Sequence, residues 1–85
     1  MLNVYATRWC PHCTRTVEFL TERKIPFRTI DMDRVDPETE RRVVEANGGD
    51  DWVVPTLEFN GRWRPGAFFN AVELEADLRR MGAIT

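Results

Sequence analysis

An α/β fold, with a four-stranded mixed sheet flanked by three helices in the order βαβαββα, is predicted by three features of this 85-residue sequence. Between Leu2 and Asp31 an apolar run, a helical pattern and a second apolar run follow one another as a βαβ unit. Asn60-Gly61 separates two further strand-like runs and signals a tight hairpin, which adds antiparallel strands to the parallel pair. Three helical patterns carry their own start and stop residues.

Leu2 to Ala6, with Val4 and Tyr5 at its centre, is short and apolar enough for a buried central strand. Thr7-Arg8-Trp9 connects it to a helix that begins at Pro11 and is expected to reach about Arg23. Ile25-Pro26-Phe27 interrupts the helical pattern, and Arg28 to Asp31 resumes as a second strand. A right-handed crossover makes these strands parallel. Asp36-Pro37-Glu38 supplies an N-cap, a first-turn proline and an acid at the positive helix end, starting a helix that Gly48-Gly49 stops after Ala46 or Asn47. Trp52 to Phe59 leads into a third strand, and Arg62-Trp63-Arg64 forms a short fourth. Asn70 and Glu73 have capping-box spacing, and Phe69 and Leu74 the spacing of a hydrophobic staple. The last helix is placed at residues 71 to 81, with Ala71, Leu74, Leu78 and Met81 on one face and Gly82 as its stop. The order has no internal repeat or linker, so residues 1–85 are expected to form one domain.

Charged residues make up 31% and hydrophobic residues 42%, a folding composition rather than a disordered one. Twelve Lys and Arg face fourteen Asp and Glu for a net charge of -2, so no basic excess points to nucleic acid or anionic lipid. No apolar run approaches the ~20 residues that span a bilayer, and Met1 to Tyr5 lacks a basic leader. A cytoplasmic monomer with no nucleic-acid or membrane partner is expected. In a reducing compartment a close cysteine pair is more often catalytic than structural.

The chemistry centres on Trp9-Cys10-Pro11-His12-Cys13, which holds the only two cysteines and sits where the first strand gives way to a helix. A thiol at a helix N-terminus faces free backbone N–H groups and the positive end of the macrodipole, and both favour the thiolate. Cys10 therefore reads as an exposed nucleophile at the N-cap, with Pro11 at the first helical position. Cys13 lies one turn on, along the Val17 and Leu20 side, and reads as the more buried, resolving thiol. A zinc site lacks ligands, since only His12 is at hand, and a disulfide closing so short a loop would stabilise little. No metal is expected. His12 is either a solvated turn residue or a donor that lowers the Cys10 pKa. Arg8 is either a partner for the thiolate and a substrate carboxylate, or a solvated surface charge. Trp9 and Trp52 are candidate apolar walls beside the thiol, or core. Arg15, Glu38, Glu40 and Glu45 read as solvated helix faces.

Cys10-Pro11-His12-Cys13 after a first strand, Val54-Pro55-Thr56 before a third, and this element order resemble the glutaredoxin branch of the thioredoxin fold over nearly the whole chain. Asn47-Gly48-Gly49 upstream of Val54-Pro55-Thr56 is most similar to the mycoredoxins, which work with mycothiol. The resemblance implies a thiol–disulfide oxidoreductase that reduces protein disulfides or mixed disulfides between proteins and a small thiol. It implies no bound cofactor, and a low-molecular-weight thiol, mycothiol or glutathione, as co-substrate. It also implies that Pro55 is cis beside the nucleophile and that the Val54 backbone pairs with substrate. Arg8, Trp9, Val54, Pro55 and Asn70 are then the candidate substrate and small-thiol contacts, with Pro11, His12 and Arg8 tuning the thiolate. Pro65-Gly66-Ala67-Phe68-Phe69-Asn70 departs from the Gly-Gly and Asp or Ser pattern that binds glutathione in the family. Arg64-Pro65 is similar instead to ribonucleotide-reductase-linked redoxins, which are reduced by thioredoxin reductase. An electron-donor redoxin is thus the alternative within redox chemistry. A non-enzymatic iron–sulfur or metal carrier, disfavoured by Pro11 beside the thiol, is the alternative outside it.

Overall fold

The computed structural model describes residues 1–85. Its elements are β1 (Leu2–Ala6), α1 (Pro11–Glu22), β2 (Phe27–Asp31), α2 (Pro37–Ala46), β3 (Thr56–Phe59), β4 (Arg62–Arg64) and α3 (Ala71–Met81). The strands lie in the order β2-β1-β3-β4, with β1 parallel to β2 and antiparallel to β3. Val4 stands opposite Thr29 on one side and Leu57 on the other. The mixed four-stranded sheet with three helices is the architecture that the sequence predicts.

The central position of β1 explains its composition. Val4, Tyr5 and Ala6 are all buried, because both faces of the strand are covered. Leu2, Val4 and Ala6 point into a core closed by Phe19 and Leu20 of α1, Leu57 of β3, and Leu74, Leu78 and Met81 of α3. Tyr5 points the other way, into a smaller cluster with Met32 and Val43 of α2. Leu20, Leu57 and Leu78 are fully buried, and each contributes roughly 2 kcal/mol through its removal from water.

Three local expectations change. The first helix ends at Glu22 rather than Arg23, because Arg23 is its C-cap and Lys24 turns left-handed at φ 56°. The Ile25 amide then bonds back to the Leu20 carbonyl at 3.0 Å, closing the helix end in a Schellman-type turn. Asp36 takes the N-cap of α2, but its carboxylate makes no capping hydrogen bond. Ala71 is exposed and lies outside the apolar face of α3, which is carried by Leu74, Leu78 and Met81. At the start of α3 the Asn70 Oδ1 accepts the Glu73 amide at 3.0 Å, and Phe69 packs onto the core that holds Leu74. The buried Arg64 ties β4 to this helix through a 2.7 Å pair between its Nε and Asp77 Oδ2. The segment from Pro65 to Asn70 is thus anchored at both ends.

Candidate active site

Cys10 is the N-cap of α1, extended at φ −90° and ψ 116°, and its carbonyl accepts the Cys13 and Thr14 amides at 3.1 and 3.2 Å. Its side chain makes no capping bond. Instead Sγ points across to the Val54 carbonyl, 3.9 Å away, where the chain enters β3. The Val54–Pro55 peptide bond is cis. The expectation of an exposed Cys10 is corrected here: the residue is only 7% exposed, against 2% for Cys13, because the half-buried Val54 packs against the core cluster to which Cys10 belongs and sets its carbonyl against the sulfur. Both cysteines are free thiols.

Burial pushes the Cys13 thiol up to about 12, and a neighbouring Cys10 adds to the rise through a hydrogen bond and its charge. Thr7 acts in the opposite direction, its backbone N–H first and its hydroxyl less. The Thr7 hydroxyl is buried and has no partner at hydrogen-bond geometry with the sulfur in its present form. It nonetheless lies close enough to favour a negative charge on Cys13.

His12 does not stand free beside the thiol. Its Nδ1 accepts the Phe69 amide at 3.0 Å, which puts the ring proton on Nε2, and its ring stacks on Phe68 at 4.8 Å between centroids. The dithiol turn is therefore fastened to the segment ahead of α3.

Cys10 opens onto a groove of about 560 Å³. Trp9 and His12 line it from the cysteine turn, Trp52, Val53 and Val54 from the approach to β3, and Gly66, Ala67 and Phe68 from the segment before α3. None of these is a Lys or Arg. Trp9 is 67% exposed and is held by a 3.0 Å bond from its Nε1 to Asp33 Oδ2. Phe68 is 80% exposed.

Cys10, His12, Trp9 and Val54 come together around this groove, and Pro11 and Pro55 adjoin them in the chain without lining it. Arg8 does not join them: it is exposed and lines a separate hollow of about 390 Å³, with Cys13, Thr14 and Asp31, between α1 and the β1–β2 edge. Asn70 spends its side-chain oxygen on the α3 cap, and its neighbour Phe69 supplies the amide that meets His12. Phe68, Val53 and Gly66 were not among the sequence candidates. A signal for Phe68 existed, because two adjacent aromatics in an extended segment point opposite ways. Once Phe69 is assigned to the core, Phe68 must face outward. Gly66 allows close approach, since a Cβ there would lie 2.6 Å from Val53 Cβ and collide with its Cγ1.

A dithiol at a helix start, opposite a cis-proline turn on a four-stranded mixed sheet, defines a redox protein of the thioredoxin fold. Residues 2–63 match the sequence model of the glutaredoxin family, and the chain belongs to that family. Among solved structures it is similar to a glutaredoxin of Archaeoglobus fulgidus, with 27% identity and a TM-score of 0.72 over 92% of this chain and 85% of that one. A protein from X. campestris shows 28% identity and a TM-score of 0.66, covering 94% of this chain and 97% of its own. A buckwheat glutaredoxin solved as a glutathione complex shares the fold, with 20% identity, a TM-score of 0.68, and coverage of 99% and 81%. No curated protein sequence matches the chain. No helix is long and apolar enough to cross a membrane. Family and fold support a thiol redox function.

Proposed function

We propose that this protein reduces disulfides in proteins, and mixed disulfides between proteins and a small thiol, through Cys10 and Cys13. The observation that carries the reading is the placement of Cys10 at the mouth of the groove, against Val54, with Cys13 shielded behind it. Cys10, as thiolate, attacks one sulfur of the substrate disulfide; a Cys10–substrate disulfide forms and the other substrate sulfur leaves as a thiolate. Cys13, as thiolate, then attacks Cys10 Sγ, the Cys10–Cys13 disulfide forms, and the second substrate sulfur leaves. The substrate gains two electrons and the dithiol loses them. The electrostatics around Cys13 support this order, although burial, the largest effect that raises its thiol, stays in place throughout. Once Cys10 is in a mixed disulfide it carries no charge and no proton, so two of the effects that raise Cys13 vanish while the Thr7 amide and hydroxyl still favour its thiolate.

Two molecules of a small thiol return the protein to the dithiol. The first opens the Cys10–Cys13 disulfide by forming an adduct on Cys10, and the second displaces it as the small-thiol disulfide. Mycothiol is the preferred candidate, on the Asn47-Gly48-Gly49 and Val54-Pro55-Thr56 motifs and on a groove with no cation to meet the carboxylates of glutathione. The same observation favours a second reading, in which thioredoxin reductase feeds the protein, because an apolar groove suits docking of another protein. Action as a monomer in the cytoplasm fits either source. The experiment supplies oxidised protein separately with glutathione, with mycothiol, and with thioredoxin reductase plus NADPH, and follows the return of free thiols. Fast recovery with mycothiol supports the first reading. Recovery with the reductase alone, and no adduct from either small thiol, replaces it with the second.

A further inference from the structure

The Asn47 side chain connects three parts of the chain that are distant in sequence. Its Nδ2 donates to the Val43 carbonyl at 2.8 Å and to Thr56 Oγ1 at 3.0 Å, and its Oδ1 accepts the Gly66 amide at 2.8 Å. Thr56, fully buried, passes the link on by donating its hydroxyl to the Val53 carbonyl at 2.5 Å. The bond to Val43 satisfies a free carbonyl at the end of α2, an ordinary structural duty. The other bonds have no bearing on that helix end. They run from Gly66, through Asn47 and Thr56, to Val53, which are the two walls of the groove over Cys10. At Gly66 these walls are in van der Waals contact with Val53, with no room for a Cβ between them.

We infer that Asn47 is a positioning residue for disulfide reduction: it sets the Val53–Val54 backbone and the Gly66–Phe68 wall at the spacing in which a substrate segment reaches Cys10. It touches neither substrate nor thiol, and acts through Thr56 and Gly66. Asn is the side chain that fits, because the relay needs donors toward Val43 and Thr56 and an acceptor toward Gly66 on one short planar group. Aspartate lacks the donors, and glutamine places the amide one methylene further out.

The assignment rests on the dithiol reading above. Its test measures kcat and KM for a quenched fluorescent peptide disulfide, with dithiothreitol as electron source, in the wild type and in Asn47→Ala, Thr56→Val, Thr56→Ser and the Asn47→Ala/Thr56→Val double variant. KM is expected to rise about five- to tenfold in Asn47→Ala and in Thr56→Val, the scale of one ordinary hydrogen bond, with a smaller change in kcat. Thr56→Ser keeps the hydroxyl and restores the wild-type KM. The double variant is expected to be no worse than the poorer single one, because both remove the same relay. Exchange of the Gly66 amide, which donates to Asn47 Oδ1, is expected to be slow in the wild type and to quicken in Asn47→Ala, and serves where a variant is too unstable for kinetics. Lower stability with an unchanged KM, fold-changes that multiply in the double variant, or unaltered Gly66 exchange would each overturn the inference while leaving the dithiol reading intact. A wild type that does not accelerate reduction of the peptide removes both.

Discussion

The Nδ1 atom of His12 accepts the Phe69 backbone N–H at 3.0 Å, so the residue just before Cys13 is bonded to the last residue before the Asn70 cap. Loss of the imidazole leaves that amide without its partner and takes the stacking surface from Phe68. His12→Ala is therefore expected to destabilise the reduced protein by about 1–2 kcal/mol, the cost of an unsatisfied, partly buried donor. Urea unfolding of the reduced protein measures it. A variant as stable as the wild type would show that the bond contributes nothing.

Gly66 is the second point at which the segment before α3 is fitted to the groove. Its freedom from strain is not the issue; the space is, because an added Cβ would lie 2.6 Å from Val53 Cβ. Gly66→Ala is expected to lower stability by about 1–3 kcal/mol, as overpacking does, and to slow disulfide reduction by moving Val53 and the wall beside Cys10. Thermal unfolding and peptide-disulfide turnover check the two effects. A fully active, fully stable Gly66→Ala variant would mean that the segment yields without consequence.

Much of the fold could be read from the chain because its punctuation is local. Pro11, Pro37, Gly48, Asn60-Gly61, Asn70 and Gly82 each act within a few residues of themselves, and the elements begin or end beside them. The two cysteines were legible for the same reason. What escaped was carried by side chains reaching across the sequence. Nothing near His12 indicates that its acceptor atom would be taken up by an amide 57 positions away, and nothing near Asn47 names Gly66 as its partner. The burial of Cys10 is not legible near the motif because its neighbour Val54 comes from a distant turn rather than from the helix that Cys10 starts. Arg8 precedes the motif by two residues, yet the chain reverses direction there and puts its guanidinium along the opposite hollow.

Cys13 gives the protein a pH dependence with a defined sign. Burial holds the folded-state value up at about 12, above the ordinary thiol value of 9.0 expected for the unfolded chain. The folded state thus binds this proton more tightly, so the stabilisation is fully present below pH 9.0 and is lost as the pH rises toward about 12. Urea midpoints of the reduced wild type are expected to fall more steeply over that alkaline range than those of Cys13→Ala. Parallel slopes would show that Cys13 does not titrate abnormally. In the same range, alkylation of Cys13 is expected to lag behind that of Cys10.

The division of labour between the thiols gives the last prediction. Cys10 borders the open groove and meets Val54, whereas Cys13 is shielded on the helix behind it. A substrate sulfur entering the groove reaches Cys10 first, and only the second step needs Cys13. Cys13→Ser is therefore expected to complete the first step and stop, accumulating a Cys10–substrate disulfide visible as a mass increase that dithiothreitol removes. It is expected to retain activity toward small-thiol adducts, where a second small thiol in solution replaces Cys13 as the attacking group. Cys10→Ser leaves a thiol whose proton is held by burial to about 12 and which does not line the groove over Cys10, and is expected to be inactive toward both kinds of substrate and to form no adduct. Mass spectrometry of both variants after exposure to a peptide disulfide separates the outcomes. If the adduct forms on Cys10→Ser instead, the hollow beside Arg8 and Cys13 is the working entrance, and the roles of the two cysteines are reversed.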